Sequence, residues 1–427
     1  MRLSSVYTGV DYSRYDAALV LSITALTAII TSYTLLTGFR EVDVYVFQEY
    51  ASSILHGYVP YRDFTVEFPP CALIFYVIPG LVSLGDPGYF YSYAIETSVF
   101  VVLTFVLSLK MLGKVADDRA KIVFSVFFGV FLCIYLTNLV WKFDIFPVFF
   151  TCLGVYLFLH GNCRIAYLAV VFASLIKFYP AIVLLFFLAC DLCRRDREGN
   201  RSALEGVAVS AVALVAAMAP FLIAGVSAGD LASMFAFHSE RGFQIESTVG
   251  VAVQFLSDLG IGDYEVVPNH GTFDVVSPVT DMLSPIWHYV TAAAVISILA
   301  YIFFLFRERG LPADRAERMW FMSAAVSLLL LTFMLTNKVF STQYLAWIVP
   351  WVFFIGISRC HGRMAVIGPL FIVAEILSVF RFDEFPALFH AMFVIRALVL
   401  VAMVWMTASA MYGDGCRGNP CTASTGD

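Results

Sequence analysis

Hydrophobic positions in this chain fall in long unbroken runs, separated by short polar punctuation, from about Ala17 to Met411. Runs near residues 17–37, 89–109, 122–137, 145–159, 203–224, 286–306, 320–335, 344–357, 365–379 and 389–411 are predominantly apolar. They do not alternate, so they predict helices and argue against a membrane barrel. Crossing about 30 Å of hydrocarbon takes about 20 apolar residues, and the longer runs reach that length. Ile165–Cys190 is apolar except at Lys177-Phe178-Tyr179-Pro180. Read as two short helices with a turn there, and Pro180 opening the second, it brings the total to about twelve spans. The expected fold class is an all-α polytopic membrane protein.

One apolar piece is left out of that total. Cys71–Gly85 is short, contains Pro79 and follows Pro69-Pro70. As a span it would invert every later loop, so it is expected to be an amphipathic or re-entrant helix at the outer interface. Before it comes "DVYVFQEYASSILHGYVPYRDFTVEFPP", residues 43–70, in which Asp43, Glu49, Arg62, Asp63 and Glu67 gather. Asp43 to Ser53 reads as a helix that Gly57 can end.

Lysine and arginine then sort the loops. "KMLGKVADDRAK", "HGNCR", "CRRDREGNR", "RERGLPADRAER" and "RCHGR" are basic and fall on one side, which the positive-inside bias makes cytoplasmic. The 43–70 stretch, "NLVWKFD", "KFYP", residues 228–285, "NKVFSTQY" and "RFDEFP" fall on the other, with both termini inside. The expected organisation is one membrane domain over residues 1–411. Its extracytoplasmic loops are 38–88 and 226–285, and a disordered cytoplasmic tail occupies 412–427.

Composition sharpens this picture. Of 427 residues, 60% are hydrophobic and only 14% charged, with a mean hydropathy of +0.84, against about 25% charged in soluble domains. A net charge of -6 with no long Lys/Arg block speaks against nucleic acid as a partner. Nine cysteines scattered through spans and turns form no disulfide framework, and Cys190-Asp-Leu-Cys193 reads as two unpaired thiols. The first apolar run is too long for a cleavable signal. Asn200-Arg-Ser202 matches N-x-S/T but lies in an expected cytoplasmic turn. No internal repeat is visible, which counts against an inverted-repeat transporter.

The outer segments hold the uncommon chemistry. They carry Asp43, Tyr45 and Glu49; Lys142 and Asp144; Lys177; His238, Glu240, Arg241, Gln244 and Glu246; and Asn337, Lys338, Gln343 and Tyr344. Singly, each has a plain reading: Asp43 or Asp144 as a helix cap, Lys177 or Lys338 as a snorkelling anchor, His238 as a solvated loop residue. Together they gather cations on the side where the positive-inside bias disfavours them. An anionic phosphate at the outer interface would account for that.

"VDVYVFQEYASSILHGYVPYRDFTVEFPP" resembles the first loop of integral-membrane GT-C glycosyltransferases, nearest to the polyprenyl-phosphate-mannose-dependent family 87. The family pattern is G-x-x-P-Y-x-D-F-x-x-E-Y-P-P after an acidic residue; here Phe68 replaces the common Tyr. "ASLIKFYPAIVLLF" is similar to the family's L-x-K-x-Y-P span, and "RGFQIES" and "STQYLAWIVPW" to later outer segments, in order over roughly the first 350 residues. The resemblance implies a GT-C fold whose first loop forms juxtamembrane helices. It also implies inverting transfer of a hexose, typically mannose, from a polyprenyl (dolichyl) phosphate to a glycolipid or glycan hydroxyl on the extracytoplasmic face.

By position Asp43 becomes the general base, and Lys177, Arg241 and Lys338 become candidates for the donor phosphate. Tyr45, Glu49, Arg62, Asp63, Asp144, His238, Gln244, Gln343 and Tyr344 are the substrate-binding candidates. GT-C relatives often pair two acids in this loop, whereas Val42 separates Glu41 from Asp43. One base and several cations suffice for a single displacement from a phosphate leaving group, so no metal is expected as cofactor. The other readings are a flippase for a lipid-linked sugar and a non-catalytic assembly subunit. The expected location is a prokaryotic cell membrane.

Overall fold

The computed structural model describes residues 14–38, 40–83, 85, 87–194, 196–269, 271–357, 364–379 and 386–413, without the side chains of Arg14, Lys114 and residues 236–239. The basic turn at 359–363, the polar stretch at 381–385 and the tail beyond Gly413 lie outside the described residues.

The twelve expected apolar segments are all helical. They are α1 (Arg14–Thr37), α4 (Gly88–Leu112), α5 (Asp118–Leu139), α6 (Ile145–Leu159), α7 (Cys163–Ser174), α8 (Ala181–Cys193), α9 (Arg197–Ile223), α12 (Pro278–Arg309), α13 (Arg315–Thr336), α14 (Val349–Ile357), α15 (Ile367–Val379) and α16 (Pro386–Gly413). Among the described residues seven of them, α1, α4, α5, α9, α12, α13 and α16, are long and apolar enough to cross a membrane. The other five have 9 to 15 residues, which at 1.5 Å per residue gives about 14–23 Å. The chain is an all-α polytopic membrane protein.

The first loop supplies two more helices, α2 (Val42–Leu55) and α3 (Ala72–Val82). Gly57, at φ +90°, turns the chain out of α2 as its position foretold. Eleven residues make α3 about 16 Å long, too short to span. Its Leu73, Tyr76 and Pro79 are buried while Ile74, Ile78 and Leu81 face outward. Phe47 of α2 stacks on Tyr76 at 4.2 Å, and Phe75 stacks on Phe146 of α6 at 4.3 Å. These ring contacts make a stiff floor under α2.

Lipid removes the hydrophobic drive for helix association, so close packing must replace it. Helices α6 and α7 meet at Gly154, where a Cβ would come 2.3 Å from Val170 Cγ2. Helix α13 is the post of the bundle, packed against α8, α12, α14 and α16, whereas α9 touches α7 and α8 and turns most of its surface outward.

The long segment after α9 holds α10 (Ala228–Ser239), β1 (Phe243–Gln244), α11 (Thr248–Asp258), β2 (Glu265–Asn269) and β3 (Thr272–Val276). The strands form an antiparallel sheet of order β1-β3-β2, with Gln244 and Val267 flanking Asp274 in register. This small sheet is the departure from an all-helical reading. The end of the bundle carrying α2, α3 and this segment is termed the outer end, after the charge bias. There the last carbonyls of α13 are capped by side chains: Thr336 accepts from Trp287 Nε1 at 2.7 Å and Leu335 from Thr248 Oγ1 at 2.7 Å.

Candidate active site

Asp43 lies in the first turn of α2, and Glu41 stands before it in extended backbone, φ -81°, ψ 145°. Because Glu41 is not yet helical, the two carboxylates reach the same partner across Val42. Lys142 Nζ is 2.8 Å from Asp43 Oδ2 and 3.3 Å from Glu41 Oε2. Lys142 comes from the turn between α5 and α6. Burial opposes its charge, but the two acids outweigh burial and raise its pKa. Asp43 keeps its side chain 45% exposed, and among the described residues its Oδ1 accepts no hydrogen bond.

A second pair lies beside it. Asp144 is wholly buried at the N-terminus of α6, yet its side chain does not cap that helix. Instead Oδ1 accepts from Lys177 Nζ at 2.6 Å and Trp347 Nε1 at 2.7 Å, while Oδ2 has no hydrogen-bond partner among the described residues. Lys177 sits on the "KFYP" turn, with Phe143 at 4.5 Å, Tyr344 at 5.0 Å and Trp347 at 5.4 Å around its ammonium. Tyr344 and Trp347 belong to the 3-10 turn Thr342–Trp347 and stack at 4.0 Å. Burial pulls the Lys177 ammonium below its ordinary pKa, against the opposing pull of Asp144. The Leu175 carbonyl accepts from Cys71 N at 2.9 Å and so ties the end of the Pro69-Pro70 step to this turn.

The third group faces the large outer segment. Arg241 Nη2 lies 3.3 Å from Glu67 Oε2, and burial raises the Glu67 pKa despite that partner. Lys338 Nζ donates to the Arg241 carbonyl at 3.2 Å and to Ser284 Oγ at 2.9 Å. Gln244 N donates to the Lys338 carbonyl at 3.0 Å, and Gln244 Nε2 to Ser341 Oγ at 3.2 Å. These groups share one field: Asp43 and Lys142 act on Lys177, and Asp43, Arg241 and Lys177 act on Glu67. Lys338 also lines one end of a groove of about 360 Å³ whose walls include Ile182, His288, Thr291, Val295 and Phe333.

The fold thus brings together Asp43, Asp144, Lys177, Arg241, Gln244, Lys338 and Tyr344. It does not bring in Tyr45 and Glu49, which helical periodicity puts on the far side of α2 from Asp43. Both are exposed, and Tyr45 packs its ring on Phe90 at 4.7 Å. Gln343 is half-buried on the same turn as Tyr344. His238 lies in α10, with its side chain outside the described residues.

Arg62 and Asp63 spend their charges on the loop itself. Arg62 Nε is 2.8 Å from Asp63 Oδ1, Arg62 Nη1 donates to the Ala224 carbonyl at 2.5 Å, and Asp63 Oδ2 accepts from Val59 N at 2.7 Å. Together they pin the "YVPYRDF" turn to the end of α9. Tyr61 in that turn is held at φ +68°, a costly conformation for an aromatic residue, by its N–H on the Phe64 carbonyl and its hydroxyl on the Phe68 carbonyl.

The side-chain hydrogen bond from Arg62, with that from Val59 N, lowers the Asp63 pKa to about 2. A depressed carboxylate pKa gives stability that is present above the unfolded value and lost as pH falls through the folded one. Amide protection at residues 59–64, the exchange rate relative to the intrinsic rate at each pH, is therefore expected to be constant above about pH 4 and to fall between about pH 4 and pH 2. In Asp63→Asn protection should be low at every pH.

Charge counting on the outer face finds the lysines, but it cannot find Trp347, a neutral donor to the buried carboxylate. Glu67 was visible in the "EFPP" motif, although nothing in the sequence tied it to Arg241. Lys142 was visible as a displaced cation, though not as the partner of Glu41 and Asp43.

The sequence profile of glycosyltransferase family 87 matches residues 64–336 of the 427. No curated protein matches the chain. Among solved structures, the Archaeoglobus fulgidus oligosaccharyltransferase tethered with an acceptor peptide containing the NVT sequon aligns with 96% of this chain at 13% identity and a TM-score of 0.40. The alignment covers 57% of that protein's length, and its TM-score is too low to bear on the assignment. The family match does bear on it. It takes in Glu67, Asp144, Lys177, Arg241 and Gln244 and is flanked by Asp43 and Lys338. With its polytopic helical fold, the chain belongs to glycosyltransferase family 87.

Proposed function

We propose that the outer end of the bundle transfers a hexose, mannose by resemblance, from a polyprenyl phosphate to a hydroxyl of a glycolipid or glycan. The observation that carries this reading is a half-exposed carboxylate on a lysine, set among buried cations beside an apolar groove. The acceptor hydroxyl gives its proton to Asp43 Oδ1 as its oxygen attacks the anomeric carbon. Lys142 on Oδ2 orients that carboxylate. The bond from the anomeric carbon to the phosphate oxygen breaks in the same step, which inverts the configuration.

The leaving group departs as a phosphate dianion and needs no general acid. It does need cations where its charge grows. Arg241, Lys177 and Lys338 supply them, and the groove by Lys338 takes the first isoprene units. In this scheme those side chains do the work of a metal. Gln244 and Tyr344 border the sugar, while Arg62 and Asp63 shape the loop that carries Glu67.

The test is donor choice by purified protein in lipid nanodiscs. Labelled mannose should pass to a mannose-containing glycolipid from polyprenyl-phosphate-mannose and not from GDP-mannose. Transfer from the nucleotide sugar alone, or movement of the lipid across vesicles with no glycosidic bond formed, would sink the reading.

A further inference from the structure

The family match ends with α13, and the helices beyond it, α15 and α16, carry deeply buried charges. Arg396 on α16 is 1% exposed and Glu375 on α15 is 0% exposed. Ionisable groups at such depth are costly and tend to be functional. The Arg396 guanidinium lies between the rings of Phe340, at 4.3 Å, and Phe393, at 4.1 Å. Its Nη2 donates to the Glu246 carbonyl, and its Nη1 is 3.9 Å from Glu246 Oε2. Glu375 is completely buried on the neighbouring helix α15, and among the described residues neither of its carboxyl oxygens has a hydrogen-bond partner. Nearer the start of α16, His390 Nδ1 lies 2.7 Å from Asp258 Oδ2. Helix α16 thus holds the outer segment at two points, just before α11 and at its end.

The Arg396 contact leads back to the site. Glu246 Oε2 accepts from Thr342 N at 3.2 Å and Thr342 Oγ1 at 3.0 Å. Thr342 opens the turn whose Tyr344 and Trp347 rings flank Lys177, and Trp347 holds Asp144. Two residues before Glu246, Gln244 N holds the Lys338 carbonyl. The guanidinium is therefore joined to both proposed phosphate lysines through hydrogen bonds and short backbone steps.

We infer that Arg396 is a positioning residue for the transfer reaction: by fixing Glu246 it sets the Thr342–Trp347 turn and the Lys338 loop against which the donor phosphate is held. This rests on the transfer reading above. A chain of packed, hydrogen-bonded groups of this kind carries coupling when its members cannot move independently. Two aromatic rings and the Glu246 carbonyl hold the Arg396 guanidinium.

The test uses full-length Arg396→Met, Arg396→Lys and Glu246→Ala in nanodiscs, with two readouts. Amide exchange needs no donor: peptides covering 242–250 and 340–348 should exchange faster in Arg396→Met, while α4 to α6 stay as in wild type. With polyprenyl-phosphate-mannose, donor KM should rise about tenfold, with acceptor KM and kcat within about twofold. Arg396→Lys should recover part of the loss, and Glu246→Ala, which removes the acceptor for Thr342, should loosen 340–348 as Arg396→Met does and add little to it in the double variant.

Unchanged exchange in both peptides overturns the inference, and so does an unchanged donor KM once exchange has changed. Should Arg396→Met not give folded protein, the other two variants carry the same measurements. If wild type itself uses no lipid-phosphate donor, the transfer reading falls, and the exchange readout still decides whether Arg396 holds the segment.

Discussion

Asp43→Asn is expected to lose transfer by about 100- to 10,000-fold while keeping its fold, since a positioned general base contributes that much. Asparagine has the same shape and its carbonyl can still accept from Lys142, so the Lys142 contact at 2.8 Å survives without a base. Donor KM should therefore change little, and the loss should fall on kcat. Asp43→Glu should retain part of the rate, limited by a carboxylate displaced by one methylene. Glu41→Gln is the control, because Glu41 shares the same ammonium from 3.3 Å. A loss of less than about tenfold there assigns the proton to Asp43. A larger loss in Glu41→Gln than in Asp43→Asn would make Glu41 the base.

The largest effect on stability is expected at the buried pair. Lys177→Met leaves the Asp144 carboxylate at 0% exposure with Trp347 as its remaining hydrogen-bond donor. Breaking such a pair from one side costs about 3–5 kcal/mol, because an uncompensated charge stays buried. Asp144→Asn strands the ammonium instead, and the Phe143, Tyr344 and Trp347 rings soften that loss. The double variant Lys177→Met/Asp144→Leu should regain much of the thermal stability of wild type and none of its activity. That split separates a cation used in transfer from one used only to fill the core. A fully active double variant would remove Lys177 from the phosphate site.

How much of this was legible in the sequence follows the physics of each feature. Helix positions were, because lipid demands continuous apolar runs and lets little else vary. The short α3 was, because its length and Pro79 ruled out a span. The break at "KFYP" was, because a lysine and a proline interrupt an apolar run, and α7 and α8 indeed stop and start there. The β1-β3-β2 sheet was not: two-residue and five-residue strands leave too little period to see.

At the site, polarity singled out the charged residues but not the pairs they form. Asp43, Lys177 and Arg241 stood out because charge is rare in this chain, and the structure groups them. Arg62 and Asp63 stood out for the same reason, yet they are neighbours in sequence that satisfy each other, which position alone does not reveal. Trp347 was hidden because it looked like one more aromatic residue in an oily turn. Arg396 was hidden too, since a lone arginine inside a long apolar run reads as an interface anchor until its burial between two phenylalanines is known.

Central to the proposed function is a single displacement from a lipid phosphate at the outer end of the bundle. The most direct measurement is the anomeric configuration of the product that wild type forms from polyprenyl-phosphate-mannose, read by NMR alongside the polyprenyl phosphate released. The expected product is a new glycosidic bond of configuration opposite to the donor's, with one polyprenyl phosphate released per bond and a rate at least about 100-fold lower in Asp43→Asn. A product that retains the donor's configuration, or a rate in Asp43→Asn within about tenfold of wild type, would contradict it.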